Sequence, residues 1–591
     1  MMRRLLLTVV ISSLAIVNIW AEFVTPDRAS QLAAGFMKMG VTPVAQQRVS
    51  QRASARGGQV EPEYYVFNNP SGGWVLISAD DRVAPVIAYS ATGQFDADRM
   101  PVNVAEWMDG ICGVIDSVRL TVSRADARVA SMWNELSAAG YDDADDQFVL
   151  ETAAWGQDSP YNQYCPIASD ENVRAYVGCV ATAMAIVMRY HSWPEHGTGV
   201  VGDYTTNTLP TYIAPYSLDS HVYGWDKMPL TKASKEWSSV NRQQVATLMH
   251  DCGVAARMDY SYEYQSSSTD VDALRAMCTN FSYSLGAKLL NRSLYSTSEW
   301  MSMLREELDA GRPLLYGAAT AAGAGHMFVC DGYRASDNKI HINWGWDGAY
   351  NGFYTIDLAV TKAYKFDRGH GAVFGLEPDT AGNSVQSEPV ILPMLTQELG
   401  GLYQDNVTDI KLGSSVSFVT PYMVNNSYNQ TAKGQFMVAL LSRDGTVRQY
   451  VDSCDYEIVP FDRYGYNFSI GPAVLTVEPA LTDRFVLYKK TAGQWVPFRC
   501  DSELLPGQDY YCCGVTTDPL IIVPDHCSPG QTIKPELTYG SMPVTKAVWS
   551  LNGEKLSSGN LTLVQGLNII KVEVVYWDGS KGTITKVVTV D

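Results

Sequence analysis

The run Gly178-Cys179-Val180-Ala181-Thr182-Ala183-Met184-Ala185-Ile186-Val187-Met188-Arg189-Tyr190 puts a thiol at the head of a segment with no proline and no internal glycine. Apolar residues at Val180, Ala183, Met184 and Val187 share one helical face, so the pattern predicts a buried helix with Cys179 in its first turn. There the unpaired N–H groups and the positive end of the helix dipole favour thiolate over thiol. Gly178 leaves room for a substrate backbone beside the sulfur. Such a sulfur is a nucleophile for acyl transfer when a side chain that moves protons stands next to it.

That second group is His326, in Gly323-Ala324-Gly325-His326-Met327-Phe328-Val329-Cys330-Asp331-Gly332-Tyr333, where a glycine-lined loop delivers the imidazole to the start of a strand. It follows Cys179 by 147 residues, within the roughly 130–150 that separate the pair in papain-type enzymes. Next comes His341-Ile342-Asn343-Trp344-Gly345-Trp346-Asp347-Gly348. In papain-type enzymes an Asn holds the imidazole in its useful tautomer and a Trp shields that bond from water, and Asn343 and Trp344 are placed for those roles. Upstream of the cysteine lies Trp155-Gly156-Gln157-Asp158-Ser159-Pro160-Tyr161-Asn162. The Gln157 amide there can join the Cys179 backbone N–H in an oxyanion hole. Other polar residues read as structural. His191 and His196 lack acidic or Cys partners at metal-ligand spacing. His341 alternates with Asn343 on a strand, and Asp331, five residues past His326, points to the opposite face of its strand.

Three kinds of element must position this set. Residues 22 to about 140 form a small unit of their own. A short amphipathic helix is predicted at Ala29–Met39 and a polar stretch at Gln46–Gln59. Tyr64–Phe67 and Trp74–Ser78 flank a Gly/Asn turn, a strand follows at Pro85–Tyr89, and Asn103 to about Ser137 is mostly helical. The run Gly140-Tyr141-Asp142-Asp143-Ala144-Asp145-Asp146-Gln147 reads as an exposed, cleavable junction. Residues 148–379 hold the chemistry. From 387 onward short β-rich runs alternate with Gly, Asn, Asp and Pro turns, which predicts two β-sandwich modules, 387–516 and 517–591.

Composition limits the function. An apolar share of 46% with 18% charged residues describes well-cored globular material, and the net charge of −19 argues against nucleic acid or an anionic membrane surface as partner. Met1-Met2-Arg3-Arg4 followed by the apolar run Leu5–Trp20 predicts a signal peptide over residues 1–21, and no later stretch is apolar enough to span a bilayer. The expected mature chain is secreted or periplasmic, with no membrane insertion after signal cleavage. Eleven cysteines show no dense disulfide framework and no zinc-type pair. Cys454, Cys500, Cys512, Cys513 and Cys527 have room for one structural bridge. No cofactor or metal is expected.

The four ordered motifs, WGQDSPYN, GCVATAMAIVMRYH, GHMFVCDGY and HINWGWDGAYNGFY, together resemble the streptopain family of cysteine peptidases, from about Trp155 to the Gly371-Ala372-Val373-Phe374-Gly375 stretch. The N-terminal unit, with GWVLISAD and PVIAYS, is similar to that family's inhibitory prosegment. The C-terminal third is more like that of the extended relatives from Bacteroidetes-type bacteria. The resemblance implies an α+β fold: a prosegment (22–147), a papain-like catalytic domain (148–379), then all-β sandwich-like modules. It further implies a zymogen whose own prosegment inhibits it, endopeptidase activity on protein or peptide substrates, and preference for hydrophobic residues at the second substrate position. By motif position Cys179 is the nucleophile, His326 the general base and then acid, Gln157 the oxyanion donor, and Trp344 the imidazole's neighbour, with Asn343 an orienting group. The activating cut is expected around 139–152. Two rival readings share parts of the pattern: a papain-fold amidase or acyltransferase, and an adhesin whose β-modules bind surfaces while the peptidase domain is a relic.

Overall fold

The computed structural model describes residues 23–38, 45–48, 61–122, 124–139, 146–167, 173–208, 210–232, 237–261, 266–319, 325–356, 358, 369–393, 401–404, 410–460, 465–500, 505, 508–524, 526–556 and 560–590. The expected signal peptide, the centre of the expected junction (140–145) and Gly323-Ala324 lie outside them.

Among the described residues seven α-helices occur: α1 (Pro26–Phe36), α2 (Val102–Thr121), α3 (Ala127–Ala139), α4 (Cys179–His191), α5 (Ser239–Ala255), α6 (Asp270–Asn280) and α7 (Thr297–Asp309). One large sheet gathers β1 (Gln46–Arg48), β2 (Tyr64–Asn68), β3 (Trp74–Ser78), β4 (Val86–Ser90), β5 (Gln147–Val149), β6 (Lys288–Asn291), β7 (Leu314–Ala319), β8 (Gly325–Arg334), β9 (Lys339–Asn343), β10 (Gly352–Thr355) and β11 (Gly371–Phe374). Its order is β1-β2-β3-β4-β10-β9-β8-β7-β11-β6, with β5 added beside the second half of β8. The N-terminal unit therefore does not stand apart. Its strand β4 pairs antiparallel with β10, Tyr89 opposite Phe353 and Ala88 opposite Tyr354, and one sheet runs through both units.

Period-two alternation decides what covers each face. Tyr65, Phe67, Val75 and Ile77 point to α1 and α3, whereas Tyr64, Val66, Trp74 and Leu76 point to the other side. Further along, Leu315, Met327 and Val329 pack on α4, α5 and α6. Tyr316, Phe328, Ile342 and Trp344 share a core on the opposite face with Trp107, Met108 and Ile111 of α2 and with Trp300 and Leu304 of α7. Helix α2, from the N-terminal unit, thus roofs the strand that carries His326 and the end of β9 where Trp344 follows.

Several elements differ from the sequence expectation. Helix α1 starts at Pro26, because Thr25 caps it by accepting the Arg28 N–H and proline suits the first helical position. Gln46–Arg48, expected as part of a polar stretch, forms edge strand β1 opposite Tyr64–Val66. Polar side chains are tolerated there because an edge strand faces water. Helix α4 is not one-sided: every residue from Cys179 to Met188 is buried, as in a helix enclosed by its neighbours.

Beyond Pro393 the described regular structure is all strand. A five-stranded and a three-stranded sheet enclose a core that includes Phe418, Phe436 and Phe485, and a four-stranded sheet ending with Lys581–Val590 packs over Ile521, Ile533 and Leu561. All eleven cysteines are free thiols, so the bridge for which the sequence left room is not formed. No helix among the described residues is long and apolar enough to cross a membrane.

Candidate active site

Cys179 sits at the first position of α4, entered through Gly178 at φ 93°, ψ 149°. That backbone region is open to glycine alone. A Cβ on Gly178 would also lie 2.1 Å from Met258 Cε and 2.7 Å from the Ser266 carbonyl oxygen. The glycine is therefore needed for both conformation and space. Strand β8 approaches from the side, and the Met327 N–H donates to the Cys179 sulfur at 3.5 Å.

Gln157 is completely buried, and neither its amide oxygen nor its amide nitrogen has a hydrogen-bond partner among the described residues. Its backbone is pinned, since the Val177 N–H donates to its carbonyl oxygen at 3.0 Å, two residues before the cysteine. The preceding Trp155-Gly156 is held by the loop after β9. Asp347 N–H donates to the Trp155 carbonyl (3.0 Å), and the Asp347 carboxylate accepts from the Tyr161 hydroxyl at 2.5 Å and pairs with Lys232 at 3.1 Å. An unbonded buried amide is costly to folding, and such groups concentrate where a ligand completes them.

His326, nearly buried at the start of β8, carries the Glu106 carboxylate of α2 at 2.6 Å from Nε2. Burial pulls the imidazole's pKa down. The nearby Cys179 sulfur and Glu106 carboxylate favour the charged ring, outweigh that and lift it to about 9. The ring is thus held as imidazolium between the sulfur and a carboxylate.

Trp344 is buried, its ring 4.9 Å from Phe328, 5.2 Å from Tyr354 and 5.8 Å from Trp107. Asn343 faces away from the imidazole: its amide nitrogen donates to Thr152 Oγ1 and the Ala153 carbonyl, both at 2.9 Å, and its oxygen accepts from Gly345 N–H at 3.2 Å. It ties β9 to the segment leading into Trp155. His341 pairs with Asp331 (2.5 Å), which also accepts from the Thr152 hydroxyl (2.5 Å). His191 Nδ1 lies 3.0 Å from the Tyr283 hydroxyl, and burial lowers its pKa to about 4. The fold therefore brings Cys179 and His326 together, ties the Gln157 backbone to Val177 just before the cysteine, lodges Trp344 in the core beneath α2, and gives Asn343 other partners.

Sequence reasoning missed the first turns of α2. Besides Glu106, Asn103 donates to the Trp344 carbonyl (3.3 Å) and accepts from Trp346 Nε1 (2.9 Å), while Trp107 stacks on His370. The signal was faint: an Asn-x-x-Glu-Trp spacing that sets three side chains on one helical side.

Residues 155–354 match the Peptidase C10 family, and residues 21–112 match the Spi protease inhibitor family. Residues 155–354 thus form a domain of the peptidase C10, or streptopain, type. It is 32% identical over 437 residues to the thiol protease/hemagglutinin PrtT of Porphyromonas gingivalis, covering 70% of this chain and 48% of PrtT. Against streptopain of Streptococcus pyogenes the identity is 29% over 346 residues, 55% of this chain and 82% of the relative. A solved fragment of prointerpain A from Prevotella intermedia is 27% identical, with 57% of this chain and all of the fragment covered, at a TM-score of 0.44. The chain spans about half the length of PrtT. The inhibitor-type match takes in Glu106 and Trp107, the two side chains of α2 that reach His326 and Trp344 in the C10-type domain.

Proposed function

We propose that this protein is a cysteine endopeptidase of protein and peptide substrates, secreted or periplasmic, and made as a zymogen that its own residues 22–147 hold inactive. The observation that carries the reading is the triple meeting of Cys179, His326 and Glu106: nucleophile and base together, with a carboxylate from the inhibitor-type segment on the base.

Once that segment is removed, the sulfur attacks a peptide carbonyl and His326 gives its proton to the leaving amine. The oxyanion is met by the Cys179 backbone N–H and by Gln157, whose amide is buried and unbonded in the resting chain. A water deprotonated by His326 then releases the acyl group and restores the thiolate–imidazolium pair. In the proenzyme Glu106 occupies Nε2 of the imidazole, and α2 lies over the strands that bear the site. Inhibition is thus an ion pair backed by the Trp107–Trp344 contact.

The test is incubation of the purified chain with casein, with and without a thiol reductant or iodoacetamide. Casein cleavage that needs reductant, is blocked by iodoacetamide and accompanies N-terminal shortening of the chain is the expected result. Intact casein under all conditions overturns the endopeptidase reading and leaves the narrow amidase.

A further inference from the structure

The Gln157 side chain makes no hydrogen bond among the described residues, so the place of its amide is set by packing and by the backbone on either side of it. That backbone converges on one residue. Asp347 N–H donates to the Trp155 carbonyl at 3.0 Å. The Asp347 carboxylate lies face-on against Gly156, where an added Cβ would stand 3.1 Å from Cγ and from both oxygens. Past Gln157 the same carboxylate reaches the segment through two side chains. It accepts from the hydroxyl of the buried Tyr161 at 2.5 Å, and it pairs at 3.1 Å with Lys232, whose Nζ also donates to the Ser159 carbonyl at 3.0 Å. Residues 155–161 are therefore tied to Asp347 both before and after Gln157.

Asp347 is itself held in an uncommon conformation. Its φ is 53°, in the left-handed region that Asp and Asn enter more readily than other side chains. Its loop lies tight against two neighbours. A Cβ on Gly345 would be 3.0 Å from Thr182 Cγ2, and one on Gly348 would be 3.2 Å from Ala154 Cβ. Thr182 is one helical turn along α4 from Cys179. The loop is thus wedged between the helix that carries the nucleophile and the segment that carries Gln157. The Asp347–Lys232 pair is partly exposed, and an ion pair so placed adds little to stability. What it does add is a fixed course for the Gln157 backbone.

We propose that Asp347 is a positioning residue for the reaction: acting through residues 155–161, it holds the Gln157 amide where the oxyanion develops. A preorganised donor works only when it is fixed in place, and a displacement of about 1 Å can cost ~10²-fold in rate. The inference rests on the endopeptidase reading and on Gln157 as its oxyanion donor.

The test is steady-state kinetics of the activated full-length chain on one peptide substrate, with two substitutions. Asp347→Gly suits the backbone conformation and removes the carboxylate; Tyr161→Phe removes a single oxygen. Each is made alone and combined with Gln157→Ala. Alone, each is expected to lower kcat about tenfold or more with KM within about twofold. In the Gln157→Ala background neither should cost more than about a further twofold, because the brace then has nothing to position. A merely structural role would instead lower kcat by the same factor in both backgrounds. That equal loss overturns the proposal, as does an unchanged kcat in Asp347→Gly, a loss confined to KM, or a Gln157→Ala enzyme whose own kcat is unchanged. Should Asp347→Gly not fold, the Tyr161→Phe comparison decides by the same criteria. Failure of the endopeptidase reading looks different: the unsubstituted chain cuts no peptide at all, although Cys179 still takes up iodoacetamide.

Discussion

Glu106 Oε2 stands 2.6 Å from His326 Nε2, joining helix α2 directly to the imidazole proposed as the base. A charged partner does two things at once. It occupies the nitrogen, and it stabilises the imidazolium, which has no lone pair with which to take a proton. The neighbouring Trp107 adds apolar contact to Trp344 and His370, so the helix is held by packing while its carboxylate acts on the chemistry.

The first prediction concerns that ion pair. The folded pKa of His326, about 9, lies above its ordinary value. The stabilisation is therefore complete below about 6.5, the unfolded pKa, and is lost as pH rises through the folded one. The shift is shared between Cys179 and Glu106, which leaves on the order of 1–2 kcal/mol for the Glu106 contact. Compared in a Cys179→Ala background, where neither protein can process itself, Glu106→Gln should melt lower than its parent at pH 6. The gap should close as pH rises, and below the value of about 9 in the intact protein, because the Cys179 share of the lift is missing in this background. A gap that persists unchanged to pH 10 contradicts the ion-pair account. With Cys179 intact, the same substitution should speed self-activation severalfold, read as the time course of chain shortening on a gel.

Gln157 gives the second prediction. Its side-chain amide makes no hydrogen bond in the resting chain, so removing it takes nothing from the folded structure but its packing. Gln157→Ala should lower kcat by about 10²- to 10³-fold, the usual loss of one oxyanion donor, with KM nearly unchanged. Steady-state kinetics of the activated variant on a peptide substrate measures this. A loss confined to KM would make Gln157 a substrate-binding residue instead.

Asn343 should behave in the opposite way. Three hydrogen bonds anchor its amide to Thr152, Ala153 and Gly345. Asn343→Ala leaves buried groups without partners and should cost about 1–3 kcal/mol of stability. Activity per folded molecule should stay within roughly tenfold of wild type, because no contact to His326 is lost. Denaturant unfolding and active-site titration separate the two effects. A kcat loss as deep as that of Gln157→Ala would show that the Asn343 amide turns toward the imidazole in the activated enzyme.

These contrasts mark what the sequence could and could not reveal. The helix headed by Cys179, the strand of His326 and the Gln157 loop were legible because each is a local pattern: an unbroken apolar run, glycines before a histidine, an amide in a turn. The role of Glu106 was not, because a Glu on the polar side of an amphipathic helix looks solvated until the partner strand, more than two hundred residues away, is folded against it. The continuous sheet was hidden for the same reason, since the Ala88–Tyr354 pairing leaves no mark in the composition of either strand. Asn343 shows the reverse error. Its place after the histidine strand matched a known role, yet a side chain's direction on a strand depends on register, and here it is set by the segment at Thr152.

The last prediction locates the activating cut. The sequence placed it anywhere from 139 to 152, but the second half of that window belongs to the peptidase side of the structure. Asp146 pairs with Arg334 (3.3 Å) and accepts the Ser336 N–H at 2.8 Å. Strand β5 then adds Gln147–Val149 to β8 opposite Gly332–Arg334, and Thr152 bonds Asp331 and Asn343. A protease needs several residues of free extended backbone, which a strand inside a sheet does not offer. Cutting after Val149 would also strip β8 of its neighbour and expose the Phe148–Tyr333 stack. N-terminal sequencing of the activated enzyme should therefore give a first residue no later than Gln147. Deletion through Leu150 should yield a chain that is less stable and less active than one beginning at Asp146. An active form that naturally starts beyond Val149 would mean that β5 is discarded along with the prosegment.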